Sequence, residues 1–352
     1  MDNANQAIPQ GQTPKPDRLR SRKEFFINNS LYIFLGLAIV VIEILQPAFL
    51  SVPSIINIIS LSAANLPIAL GIAGTIILTG TDLSAGRVVG VVACVSASLL
   101  QTSGYANKMF PGLDTLPIWL VLFIALAIGG LVGLINGFCT ARFNLHPFIV
   151  TLSTQLIVYG VLLMYLMIGS NNGQSISGLD TSYTDFITGS ILSIGPTPIP
   201  NYVFYSIGIT AIIWLIWNKT AFGKNMFAIG SNPEAANVSG VNVKRTIMLV
   251  FLLAGVMYGV TGFIEAARIG SNSAATGLNY ELDAIAACVI GGVSFVGGIG
   301  KIRGVIMGVV LLRIIFVGLT FLGIDSNMQY VIKGLIILIA CAIDMRKYLV
   351  RK

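Results

Sequence analysis

Apolar runs of about 17 to 25 residues recur along almost the whole chain, each long enough to cross a hydrocarbon core of about 30 Å as a helix. In lipid every backbone N–H and C=O must find a partner inside its own segment, so such runs fold as helices and not as open strands. The composition agrees. Of 352 residues, 55% are hydrophobic and 10% charged, and the mean hydropathy is +0.86, whereas a soluble domain carries about 25% charged residues. The chain therefore reads as an all-α membrane protein. About ten transmembrane helices are expected, at 31–50, 54–79, 83–103, 117–141, 148–169, 201–218, 246–267, 282–300, 303–322 and 328–345.

Charge supplies an orientation. With a cytosolic N-terminus, 17 of the 21 Lys and Arg fall at the inner face: Lys15, Arg18, Arg20, Arg22 and Lys23, then Arg87, Arg142, Lys219, Lys224, Lys244, Arg245, Lys301, Arg303, Arg346, Lys347, Arg351 and Lys352. Lys108 and Arg268 fall outside, while Arg313 and Lys333 lie within spans. This is the asymmetry of the positive-inside rule, and it puts both termini in the cytosol. Residues 1–30 are then a basic cytosolic tail, polar and expected to be disordered, without a secretory apolar region. Residues 31–345 form the transmembrane domain and 346–352 a second basic tail. The tail's cations are topogenic flanks beside membrane lipid; nucleic acid is not an expected partner. The charge count also makes 282–300 a short or broken crossing, since re-entry would leave Lys301 and Arg303 outside.

Residues 170–200 form an extracytoplasmic loop with Asp180 and Asp185 and no Lys or Arg. Trp119, Trp214 and Trp217 stand near span ends, as an interfacial aromatic belt requires. Glycines four apart, Gly129, Gly133 and Gly137 and again Gly300, Gly304 and Gly308, mark helix faces of close contact. Among ionisable groups within spans, Glu43 and Glu265 lie toward the outer third, within reach of water. Arg313 and Lys333 sit deeper and need acidic partners on neighbouring helices. Asn65 and Asn136 read as polar glue between helices in preference to contacts with a bound solute.

The inner loop 219–245 is the longest cytosolic loop of the transmembrane domain, and it carries a helix of its own. Asn232 is a good N-cap, Pro233 fits the first helical position, and Glu234 favours the positive end of the dipole. Gly240 offers a left-handed stop. The resulting helix of about seven residues is far below the roughly 12 to 15 at which an isolated helix is marginal in water. It either lies on the protein's own inner face or docks into a partner through Ala235, Ala236 and Val238.

Three stretches carry a resemblance: TGTDLSAGR (79–87), FGKNMFAIGSNPEAANVSGVNV (222–243) and YELDAIAACVIGGVSFVGGIG (280–300). They are similar to the permease subunits of bacterial sugar-importing ABC transporters, in the ribose, xylose, arabinose and galactose group, and the similarity runs from about Leu31 onward. The resemblance implies an ABC importer permease fold in the bacterial inner membrane, with galactose or methyl galactoside as cargo. It implies three partners: a second copy of the chain, an ATP-binding subunit that holds the ATP and magnesium, and a periplasmic sugar-binding protein. It also makes the loop helix a coupling helix gripped by the ATP-binding subunit, on Gly230, Asn232, Pro233, Glu234, Ala235, Ala236 and Gly240.

No enzyme activity and no bound cofactor are expected of the chain itself. GGIGKIRG (297–304) imitates a phosphate-binding loop, but Phe295 stands where its first glycine belongs and Ile302 where Ser or Thr is needed. His146 is the one histidine, and Cys94, Cys139, Cys288 and Cys341 lack metal-ligand spacing. A neutral sugar is handled by polar groups where helices are interrupted in two halves of a transporter. GTDLSAG (80–86) and GGVSFVGG (291–298) are such breaks, so Asp82, Ser84 and Ser294 either line the path, brace a gate or form turns at the membrane face. The rival reading is an ion-driven secondary sugar transporter with Asp82 as its ion site.

Overall fold

The computed structural model describes residues 30–349. The tail expected at 1–30 lies outside the described residues but for Ser30, as do residues 350–352. Thirteen helices and one hairpin follow in chain order: α1 (Ser30–Leu45), α2 (Val52–Ile77), α3 (Ala85–Leu99), α4 (Ile118–Phe143), α5 (Pro147–Leu166), α6 (Thr181–Thr188), β1 (Ser190–Ile194), β2 (Thr197–Pro200), α7 (Asn201–Lys219), α8 (Ala221–Ser231), α9 (Pro233–Val238), α10 (Val243–Ile269), α11 (Tyr280–Ile290), α12 (Ile302–Phe321) and α13 (Ser326–Leu349). Each expected span meets a helix. Among the described residues six of these helices, α2, α4, α5, α7, α10 and α12, are long and apolar enough to cross a membrane. At 11 residues, α11 covers only the first part of the expected span 282–300: it ends at Ile290 and gives way to irregular chain through Lys301. Helix α13 runs on to Leu349, past the expected end at 345.

Burial sorts the helices into a centre and a rim. In α2 and α10, 78% and 61% of the most apolar stretch is buried, against 28% in both α4 and α5. The central pair is rich in Gly, Ala and Ser, which let backbones approach; the rim helices present Leu, Ile and Phe outward. Pro67 inside α2 cannot donate to the carbonyl of Ala63, an orphan that would be expensive away from water. The Ser206 hydroxyl of α7 donates to that carbonyl at 2.7 Å, so the kink residue is serviced by a neighbour.

The glycine row of α4 meets α10. A Cβ on Gly129 or Gly133 would overlap the backbone of Gly255 or Phe251, and one on Gly137 would come within 2.8 Å of the Met248 Cα. The second expected row holds in part. Gly304 and Gly308 press on the backbone of Gly291 and Ala287, but Gly300 precedes α12 and lies against the Ile77 side chain. Overpacking a site of this kind costs about 1 to 3 kcal/mol. Gly133→Leu is therefore expected to lower the thermal midpoint of the detergent-purified permease, while Gly160→Ala, in open space on α5, leaves it unchanged.

The segment 170–200 is more ordered than a loop. Asp180 caps α6, its Oδ1 accepting from Ser182 N at 2.9 Å, and SILSIGPTPIP folds into the β1–β2 hairpin around Gly195 at φ +58°. The buried Tyr183 hydroxyl donates to the Phe263 carbonyl and ties α6 to α10. Burial pushes that phenol above its ordinary value, which keeps it a neutral donor. Trp217 is buried, ring to ring with Phe227 at 6.0 Å, so it belongs to the core and not to an interfacial belt. Trp119 is exposed, and Trp214 carries Lys219 over its ring at 5.7 Å.

Candidate functional site

The stretch 219–245 holds two helices where one was expected. Thr220 starts α8 by accepting from Gly223 N at 3.3 Å, and Met226, Ile229 and Gly230 bury its inner face. Two glycines in AFGKNMFAIGS disguise it as a loop, yet both are there for close approach: Gly223 to the Trp217 backbone and Gly230 to α2. The second helix is the short one, six residues long from Pro233 to Val238. Asn232 Oδ1 accepts from Ala235 N at 3.0 Å with Pro233 next in line. Gly240 turns the chain at φ +85°, where Val241 N reaches back to the Ala236 carbonyl at 3.0 Å.

The apolar face of this stub differs from the expected one. Ala236 is buried and anchors α9 to the protein, so it cannot meet a partner. Pro233, Glu234 and Ala235 are exposed, and Val238 is 89% exposed.

Behind the stub lies a junction of three chain segments. Gly230, in the last turn of α8, has no room for a Cβ: the Ile77 carbonyl already stands there and Gly298 N is 2.6 Å away. Gly298 N in turn donates to that same Ile77 carbonyl at 2.9 Å. The loop 291–301 is held in shape by Ser294 N donating to the Ile299 carbonyl at 3.1 Å and Val296 N donating to Ser294 Oγ at 3.2 Å. Ser294 thus shapes a turn packed between the end of α2 and the loop helices.

Asp82 and Ser84 belong to a different assembly. Both are fully buried. Asp82 Oδ1 accepts from Ser84 N at 2.9 Å and Ser84 Oγ at 2.6 Å, and its Oδ2 accepts from the Tyr258 hydroxyl of α10 at 3.2 Å. Asn136 of α4 donates to Ser84 Oγ at 3.0 Å and accepts from Thr154 of α5 at 2.7 Å. Thr151 closes the ring by donating to the Thr81 carbonyl at 3.0 Å and accepting from Leu83 N at 3.1 Å. Three helices, α4, α5 and α10, are thereby pinned to the irregular segment 78–84.

The break before α3 also packs against 270–279. A Cβ on Gly86 would run into the Gly277 carbonyl, and one on Gly90 would come within 2.5 Å of the Thr276 carbonyl. The start of α3 therefore meets the start of α11. Three acids gather at these two positive helix ends: Asp82 just before α3, and Glu281 and Asp283 in the first turn of α11. Arg87, expected at the inner face, lies half-buried near this junction. Its guanidinium lies over the Tyr159 ring at 4.1 Å and donates to the Ala274 carbonyl at 3.1 Å.

Arg313 and Lys333 share one carboxylate, Asp283, at 3.3 and 2.5 Å. Glu265 does not reach water: it is fully buried, bound by both ends of Arg268 at 2.9 and 2.6 Å and by the Tyr280 hydroxyl at 3.0 Å. Glu43 is half-buried and accepts from Leu50 N at 2.8 Å. His146 caps α5 through Nδ1, which accepts from Phe148 N at 3.3 Å.

The model of a family described as "Branched-chain amino acid transport system / permease component" matches residues 54–341. The galactose/methyl galactoside import permease of Escherichia coli (strain K12) is 47% identical over 323 residues, 92% of this chain and 95% of that protein. Its namesake from Haemophilus influenzae is 43% identical over 336 residues, 95% and 99% of the two chains. The ribose import permease of Bacillus subtilis (strain 168) is more distant, at 36% over 317 residues, 89% and 92% of the two chains. No solved structure matches the chain.

Proposed function

Because the chain belongs to the family of permease components of branched-chain amino acid transport systems, we propose that it carries galactose and methyl galactosides inward as the membrane permease of an ABC importer. It is a multi-pass inner-membrane protein and not an enzyme; ATP hydrolysis belongs to a separate subunit. An ion-driven transporter finds no support among relatives that are import permeases over nearly their full length.

The carrying observation is the capped stub α9, bare at Val238 and anchored at Ala236. A six-residue helix is too short to persist alone. Here it is held on one side by the protein and left open on the other, which suits a handle for the ATP-binding subunit. In this reading Asn232, Pro233 and Gly240 set its shape, while Glu234, Ala235 and Val238 meet the partner. Gly230 transmits the pull to α2 and to the loop of Ser294, and the Asp82–Ser84 ring braces the helices that move as one body. Two copies of the chain enclose the path, a periplasmic sugar-binding protein delivers the cargo, and about ten spans leave both termini in the cytosol.

The test is the double variant Pro233→Gly with Glu234→Ala. Uptake of labelled galactose is expected to vanish while the permease stays in the membrane at its usual level. Undiminished uptake would remove α9 from the coupling route.

A further inference from the structure

Helix α12 is about 30 Å long, and Arg313 stands near its midpoint. Its partner Asp283 is on α11 and its neighbour Lys333 on α13, so three elements converge on one ionic cluster. The side chains are not sealed: those of Arg313, Asp283 and Lys333 keep 16, 11 and 15% of their surface open. Charges at this depth do not face hydrocarbon; they face water, a pathway or a protein partner.

Two further features mark what lies in front of them. A narrow crevice beside the cluster is lined by Asn65, Ala69, Asp283, Ala287, Leu312 and Arg313. Asn65, in the middle of α2, is more than nine-tenths buried there. Its amide nitrogen is used by the Leu61 carbonyl at 2.9 Å, but its Oδ1 has no hydrogen-bond partner. A buried acceptor left unused is costly unless something else donates to it. On the other flank, the Phe316 and Tyr330 rings lie 5.1 and 5.3 Å from Lys333 Nζ, and Tyr330 is exposed. Fixed donors, an idle acceptor and aromatic faces together match a polyhydroxylated neutral ring, whose hydroxyls both give and accept while its C–H face lies on an aromatic.

Resting on the reading of the chain as a sugar permease, we propose that Asn65, the Asp283–Arg313–Lys333 cluster and Tyr330 form a station for the sugar in mid-membrane. In it Arg313 and Lys333 donate to sugar hydroxyls, Asn65 Oδ1 accepts from one, and Asp283 holds the two cations in place. The crevice as it stands has room for no more than a water, so in this proposal it must widen for a sugar to enter.

The experiment uses the full permease reconstituted with its ATP-binding subunit and saturating sugar-loaded binding protein. Maximal uptake of galactose is compared with that of its monodeoxy derivatives for the parent and for Asn65→Ala. The expected result is a change of fivefold or more in the relative rate for one deoxy sugar, the one lacking the hydroxyl that Asn65 accepts from. An equal fall for all sugars, or no change, would overturn the station. In a background lacking Cys139 and Cys341, Tyr330→Cys provides a second measure. Labelling by a charged, water-soluble thiol reagent, slowed by sugar-loaded binding protein, is expected; labelling confined to lipid-soluble reagents would overturn the proposal. A parent complex that moves no galactose would count against the transport reading itself, separately from either variant.

Discussion

Gly230→Val is expected to reduce galactoside uptake by roughly ten- to a hundredfold with the permease still inserted and still bound to its ATP-binding subunit. The reason is local and steric. Any Cβ at Gly230 meets the Ile77 carbonyl and Gly298 N, both backbone atoms that cannot turn aside. Prying α8 from α2 and from the 291–301 loop costs about 1 to 3 kcal/mol, and each 1.4 kcal/mol is about a factor of ten in an equilibrium. Gly240→Ala serves as the companion. It has open space around it but a left-handed backbone at φ +85°, so it strains the stub by about 1 kcal/mol without touching the junction. If Gly230→Val transports as well as Gly240→Ala, force does not pass through the junction.

Asp82→Ala is expected to be the more damaging change for stability. It strands three donors, Ser84 N, Ser84 Oγ and the Tyr258 hydroxyl, in a fully buried setting. Each unsatisfied buried group costs about 1 to 3 kcal/mol. Asp82→Asn keeps one oxygen acceptor of the same shape and lets the Tyr258 hydroxyl accept instead of donate, so its loss is smaller. Thermal unfolding in detergent and the amount of permease in membranes give the order parent, Asn, Ala. An Ala variant as stable as the parent would mean that the ring does not brace the bundle.

Much of this was legible in order and type. Apolar runs separated by polar turns located most of the helices, though the helix expected to 300 ends at Ile290 and the one expected to 50 ends at Leu45. The cap Asn232, the starter Pro233 and the stop Gly240 announced α9 equally well, since capping is chemistry between neighbours in sequence. Helix α8 escaped notice because its two glycines argue against a helix in isolation, and only the backbones of Trp217 and Ile77 explain them.

What could not be read were the partners across the bundle. Nothing in the chain says that Arg313 and Lys333 share Asp283, that Arg87 lies on Tyr159 and the Ala274 carbonyl, or that the break before α3 packs against 270–279. The sequence by itself determined a largely helical multi-pass membrane protein, where most of its helices lie and that a short capped helix stands among them, all properties of local hydrophobicity and of hydrogen bonds within a few residues. Only the tertiary structure decided which face of that helix is free and which buried charge answers which, because those depend on contacts between residues up to about two hundred positions apart.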